Sequence, residues 1–430
     1  MRTLMSSNVH PAAAPKPGST LLGLPFAVGM YFAIRVMIVL LSVRFFGADP
    51  QTGAAINLGL NFAFLALVAF CSAGTAQYPL GRMARLAPLR WAIAFLFVSG
   101  CSLVWTASVS LSAAAAYWCA LFADVAIVVL FMRSGPFIDT AHSLMKGFVW
   151  GACAAAFIAW LLPAQSDLRL GDEELLGPNQ IGFLCSFAFF FAQYLTIKKD
   201  GRWTVPALAL ALTVLRSLSK TTLVAFLVSE AFFLVSNRQM SRRAKVWLIV
   251  AAATVLLAFS GLFASYYDVY SRMGNQSETL SGRFGMWFYF LDEALQRPWI
   301  GHGFHSVWKV VPPFGNDQFE ARHAHNELLQ QFYAYGLLGV TIFAGIYSSF
   351  YLQIRRLEVG RIRSYYFAFL IFCLVRGLAD TEPFDLSLPL WTLITMSLLI
   401  EPECHAQVAE RAPDRRLADT PGTSPHFASD

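Results

Sequence analysis

Two short stretches of this sequence place proton-transfer and anion-binding side chains in otherwise apolar surroundings. In EARHAHNELLQQFYAYGLLGV, residues 320 to 340, His323, His325, Asn326 and Glu327 stand directly ahead of an apolar run. In VLRSLSKTTL, residues 214 to 223, Arg216 and Lys220 interrupt another. An imidazole titrates near neutrality and can accept the proton of an attacking hydroxyl, with Glu327 or Asn326 available to orient His325. Fixed cations in a dry pocket steady negative charge as it develops on a departing group. Arg283 is a third cation of this kind, Asn179 carries polarity into an apolar region within GPNQIG, and Arg376 sits close to the acidic stretch DTEPFD that contains Glu382 and Asp385. Ionisable groups at a membrane boundary are expensive enough that they usually pair or bind something.

Each of these residues also has a plainer reading. Arg216 and Lys220 can snorkel to lipid headgroups. Arg283 can be the polar edge of an amphipathic helix, His325 a hydrogen-bonded packing histidine, and Glu382 or Asp385 either an acid-base group or a partner of Arg376. His323 and His325, two apart, fit one metal from an extended chain, but no carboxylate shows supporting ligand spacing, so no metal and no cofactor are expected.

The elements that must position these groups are apolar helices. The 430 residues are 57% hydrophobic and 13% charged, too few charges to coat a soluble globule of this size. An apolar run of about 20 residues crosses the hydrocarbon core as a helix. Twelve such spans are expected, near 22–46, 54–74, 89–107, 112–132, 146–163, 179–197, 203–218, 221–236, 246–265, 329–352, 364–379 and 387–400. The fold class is therefore all-α, a polytopic membrane protein with one large loop between spans nine and ten. The parts are a tail over 1–20, spans one to nine over 21–265, the loop over 266–327, the last three spans over 328–400, and a disordered tail over 401–430.

Lysine and arginine gather in the loops at 82–90, 133–146, 198–202, 238–245 and 355–363, while GADPQTG, PAQSDLRLGDEELLGP and ADTEPFDLS are acidic or neutral. Basic loops stay inside, so both termini face the cytoplasm and the large loop faces out. The first span lacks a small-residue cleavage site and reads as an anchor rather than a removed signal peptide. The same basic loops account for the net charge of +6, and no nucleic-acid partner is implied. The seven cysteines include no C-x-x-C pair and indicate neither a disulfide framework nor a thiolate zinc site. Within the large loop, SGRFGMWFYFLDEALQR (281–297) reads as an interfacial helix capped by Ser281, with Trp287, Phe290, Leu291 and Ala294 on its apolar face. Lys220, Arg283 and His325 can then meet at one outward-facing, partly dehydrated pocket.

The segment SGRFGMWFYFLDEALQRPWIGHGF, followed by HAHNELLQQFYAYGLLGV, resembles the O-antigen ligase/polymerase superfamily of bacterial envelope glycan enzymes. GPNQIG and SLSKTTL fit the same family, and the chain looks most like its exopolysaccharide polymerases of the succinoglycan and xanthan type. The resemblance implies a bacterial inner-membrane glycosyltransferase with a periplasmic site. Its donor would be an oligosaccharide on undecaprenyl pyrophosphate, and it would work beside a flippase and chain-length regulators. By that resemblance Lys220 stands where the family holds a cation for the pyrophosphate, Arg283 matches the loop arginine, and His325 matches the histidine beside the acceptor hydroxyl. Arg216, Asn179, His323, Asn326, Glu327, Arg376 and Glu382 would line the substrate site. Ligases commonly have arginine where Lys220 stands, and a lysine offers a point charge rather than a fork. A ligase moving glycan to lipid A core or to a protein is the nearest alternative, and a lipid-linked sugar transporter a more distant one.

Overall fold

A computed structural model describes residues 23–74, 80–134, 136–165, 168–172, 175–238, 240–273, 280–307, 310–313, 320–378, 380 and 387–418. The N-terminal tail, Glu382, Asp385 and the end of the C-terminal tail lie outside them. The described residues are helical, with a single isolated bridge between Asp172 and Leu176. In chain order the helices are α1 (Leu24–Phe46), α2 (Pro50–Ser72), α3 (Leu80–Met83), α4 (Ala87–Cys101), α5 (Leu111–Ser134), α6 (Phe137–Leu161) and α7 (Pro178–Ile197). They continue as α8 (Thr204–Ser217), α9 (Lys220–Ser236), α10 (Arg242–Ala258), α11 (Ser260–Met273), α12 (Leu280–Gln296), α13 (Glu327–Arg356), α14 (Arg361–Gly377) and α15 (Ser387–Ala418).

A helix coincides with every expected span. Among the described residues seven helices, α1, α2, α4 with its 3-10 extension to Val104, α5, α6, α7 and α13, are long and apolar enough to cross a bilayer, against the twelve crossings expected; an eighth span results if α10 and α11, bent by 44°, are one. Three expectations change. Tyr266, placed at the start of the large loop, lies within α11. The last helix continues through 401–418, where a disordered tail was expected, to Ala418. The loop helix α12 begins at Leu280, so Ser281 is inside it rather than capping it.

Packing follows from where the small and aromatic side chains fall. α1 and α6 approach so closely that a Cβ on Gly29 would lie 2.0 Å from the Leu144 carbonyl oxygen, and one on Gly147 2.0 Å from that of Phe26. Small residues at crossings let helix backbones touch where lipid supplies no hydrophobic drive. Deeper in, Phe187, Phe190, Phe369, Phe372 and Tyr365 from α7 and α14 meet mostly edge to face. An ion pair between half-buried Arg35 and buried Asp124, Nη1 to Oδ2 at 2.6 Å, joins α1 to α5, and Ser387 at the start of α15 bonds both partners. Pairing is what makes such charges tolerable inside an apolar bundle.

The segment after α12 is built into α13. Gly336 interrupts that helix with φ 63° and ψ −155°. In an unbroken helix Leu337 and Leu338 would donate to the carbonyls of Tyr333 and Ala334. Here Leu337 N donates to Pro298 O at 2.7 Å and Leu338 N to Trp299 O at 3.4 Å, while His302 N and Gly303 N take the vacated Tyr333 and Ala334 carbonyls at 2.9 and 2.8 Å. The exchange gives partners to these two amides and two carbonyls that the kink releases. It requires glycine on both sides: a Cβ on Gly336 would lie 2.4 Å from Trp299 C, and one on Gly301, at φ 65°, 2.4 Å from Ala334 C. The break locks the RPWIGHGF turn against the helix that follows the histidines.

α12 docks on this assembly through Met286, Phe290 and Ala294, which pack with Val307, Val311, Ala321, Ala324 and Tyr333. Of the apolar face expected from the sequence, Phe290 and Ala294 are buried, and Trp287 donates Nε1 to Ala324 O at 2.9 Å; Leu291 is instead exposed, alongside Phe284, Phe288 and Leu295.

Candidate functional site

The polar groups converge on a carboxylate that the sequence reading passed over. Asp380, just beyond α14, has a fully buried side chain. Its Oδ1 lies 3.3 Å from His325 Nδ1. Its Oδ2 accepts from Arg376 Nη2 and from Thr221 Oγ1, each at 3.4 Å. Three elements meet here: the extended turn before α13, the end of α14, and the first turn of α9, where Thr221 follows Lys220. Burial pushes the Asp380 carboxyl up, but Arg376 and His325 outweigh it and hold the group well below the usual carboxylate range. Arg376 is itself buried, its guanidinium 3.7 Å from the centre of the Phe183 ring.

His325 has a positive φ of 49°, which turns the chain sharply before Asn326 caps α13 by accepting from Leu329 N at 3.0 Å. Asn326 Nδ2 also donates to Leu378 O at 3.0 Å and ties the same turn to the end of α14. Glu327 is buried and accepts from Gln331 Nε2 at 2.9 Å. Asp380, which the sequence did not single out for this role, is a hydrogen-bond partner of the His325 ring.

The ring of His323 lies beside that of His325, ring centres 4.0 Å apart and planes tilted by 57°. Burial, then the charges of His325, Arg376 and Arg283, hold its ring well below its ordinary pKa against the opposing pull of Asp380, so it is neutral near pH 7. Arg283 of α12 is half-buried, and its charge opposes protonation of this ring. His323, His325 and Asp380 together offer three donor atoms within 4.8 Å of one another. The sequence reading found no carboxylate at ligand spacing, because Asp380 is 55 residues from His325 along the chain.

The remaining expected residues are distributed around this centre. Lys220 is exposed, its Nζ 5.5 Å from the centre of the Tyr266 ring on α11. Arg216 donates to Leu168 O at 2.8 Å and so braces the connection between α6 and α7. Asn179 is half-buried in the first turn of α7, whose Phe183 carries Arg376. A small cavity of about 20 Å³, lined by Phe183, Glu327, Tyr347, Arg376 and Asp380 among others, lies against the cluster. The signal that could have exposed Asp380 is its i, i+4 spacing from Arg376, a pair that meets on one helical face.

Residues 205–344, which hold Lys220, Arg283, His323 and His325, match the family described as O-antigen ligase. The match covers the central segment of the chain. The chain is also 23% identical over 291 residues to the exopolysaccharide production protein ExoQ of Rhizobium meliloti (strain 1021), an alignment covering 62% of this chain and 66% of that protein, just under two thirds. Both similarities are to proteins of bacterial envelope glycans, and the ligase-family segment ends inside α13, before Arg376 and Asp380. The structure thus joins family residues to a carboxylate supplied from outside the matched segment.

Proposed function

We propose that this protein is a metal-independent glycosyltransferase of the inner membrane, acting at the periplasmic face and joining oligosaccharide repeat units carried on undecaprenyl pyrophosphate. The observation that carries this reading is the convergence of His325, Arg376 and Thr221 on buried Asp380. His325 donates Nδ1–H to Asp380 and so presents its other ring nitrogen as a base. In the transfer, an acceptor sugar hydroxyl attacks the anomeric carbon of the donor, its proton passes to His325, and the bond from that carbon to the pyrophosphate oxygen breaks. Asp380 stabilises the imidazolium that forms. Arg283 and Lys220 steady the negative charge on the departing polyprenyl pyrophosphate. No nucleotide sugar is needed outside the cytoplasm, because the donor arrives activated on its lipid.

In this reading all twelve spans cross the membrane, α10 and α11 forming one, and both termini lie in the cytoplasm. A flippase would supply the donor, and chain-length regulators would set when extension stops. The relative named for exopolysaccharide production favours a polymerase. The family description favours a ligase, which would use the same groups on a different acceptor such as lipid A core or a protein. Lipid-linked intermediates in a deletion strain separate the two. Accumulation of single repeat units on the carrier is the outcome expected of a lost polymerase, and accumulation of long chains would assign the ligase role instead.

A further inference from the structure

We infer that His323, His325 and Asp380 form a binding site for one borderline divalent transition cation of the Zn²⁺ class. Two imidazoles and a carboxylate are a donor set suited to such ions, whereas Mg²⁺ and Ca²⁺ seek oxygen. The three donor atoms already lie within 4.8 Å of one another, so binding needs only small side-chain rotations. The observation that points to a ligand is His323. It is 9% exposed, and its Nδ1 is buried with no hydrogen-bond partner among the described residues. A buried lone pair without a donor is costly, and a cation would satisfy it.

The surrounding shell is also prepared. Asp380 turns Oδ1 toward the imidazoles, while Oδ2 is held by Arg376 and Thr221. Ligating carboxylates are ordinarily fixed by such outer hydrogen bonds. Arg376 and Arg283 oppose a cation by charge. Affinity is therefore expected to be on the order of micromolar rather than that of a structural zinc site.

Occupation has a consequence that rests on the function proposed above. A cation on His325 takes the nitrogen lone pairs and the carboxylate that proton transfer needs, so the metal is an inhibitor rather than a cofactor. The test uses the purified full chain in detergent, freed of any oligohistidine tag, titrated with Co²⁺ and followed by visible d–d absorption. One equivalent is expected to bind, with displacement by Zn²⁺. His323→Gln and Asp380→Asn, each eluting from gel filtration as the parent does, are expected to weaken binding by about 100-fold or more, the upper end of what outer-shell changes alone produce. Absence of the absorption at millimolar Co²⁺, or the same binding in the parent and His323→Gln, overturns the site. Binding at the site without loss of glycan transfer leaves the site standing and contradicts instead the role given to His325.

Discussion

At the scale of single residues the account depends on an imidazole whose ring is fixed by a carboxylate that cannot readily be protonated. Asp380→Asn keeps the shape but gives up the charge that stabilises the imidazolium. It is expected to lower the transfer rate by about 10²–10⁴, the range in which acid-base assistance operates, while the protein still reaches the membrane. His325→Ala and Arg283→Ala should each stop glycan assembly to a similar degree, measured as polymer yield against the membrane content of each variant. Lys220→Arg should retain activity that Lys220→Ala loses. His323 gives a separate prediction in pH. Its folded pKa lies well below the ordinary 6.5, so the unfolded chain binds the extra proton first as the solution is acidified. Stability present above pH 6.5 is therefore lost as pH falls toward the folded value. The melting temperature of the parent should drop more steeply between pH 7 and 5 than that of His323→Gln. Asp380 has the same sign but a lower window, its stabilisation disappearing only under strongly acidic conditions.

At the scale of elements the decisive device is the exchange of hydrogen bonds between the RPWIGHGF turn and the break in α13. Gly336→Ala would require a positive φ from a residue with a Cβ and would drive that Cβ to within 2.4 Å of Trp299. The backbone strain alone is about 1–3 kcal/mol, and the clash adds to it. The variant is expected to melt at lower temperature in detergent and to lose transfer activity, because the turn and the histidines share one helix; Gly59→Ala, where an added Cβ would meet nothing within 4 Å, is a useful comparison. This exchange could not be foreseen from the sequence, since hydrophobic periodicity reports which face of a helix is apolar and not whether another segment supplies its hydrogen bonds. The helices themselves were legible, because runs such as Leu24–Phe46 and Phe137–Leu161 are apolar for more than the required length. The position of Asp380 was not. It stands in a stretch with three carboxylates close together, and only the folded ends of α9, α13 and α14 select it. The buried and exposed faces of α12 were also only half legible, because Leu291 and Phe290 are equally apolar in sequence yet face opposite environments.

At the scale of the whole molecule, a bundle with paired charges gathers His323, His325, Arg376 and Asp380 at the end where α9 begins and α14 finishes. The account places that end outside the cytoplasm. Cysteines introduced singly at Glu320 and Gln296, in a chain whose exposed Cys71 and Cys101 are replaced by serine, should react in intact spheroplasts with a membrane-impermeant maleimide. One introduced at Glu358, between α13 and α14, should react only after lysis. The reverse pattern would invert the topology and remove the proposed site from its substrate. The most direct measurement of the central claim combines both ends of the argument. Purified protein is given undecaprenyl-pyrophosphate-linked repeat units without nucleotide, and products are resolved by size. The account predicts new glycosidic bonds from the parent chain and transfer slower by about 10²–10⁴ from His325→Ala. A parent that forms no bond with this donor, or a His325→Ala protein that matches the parent, would contradict it.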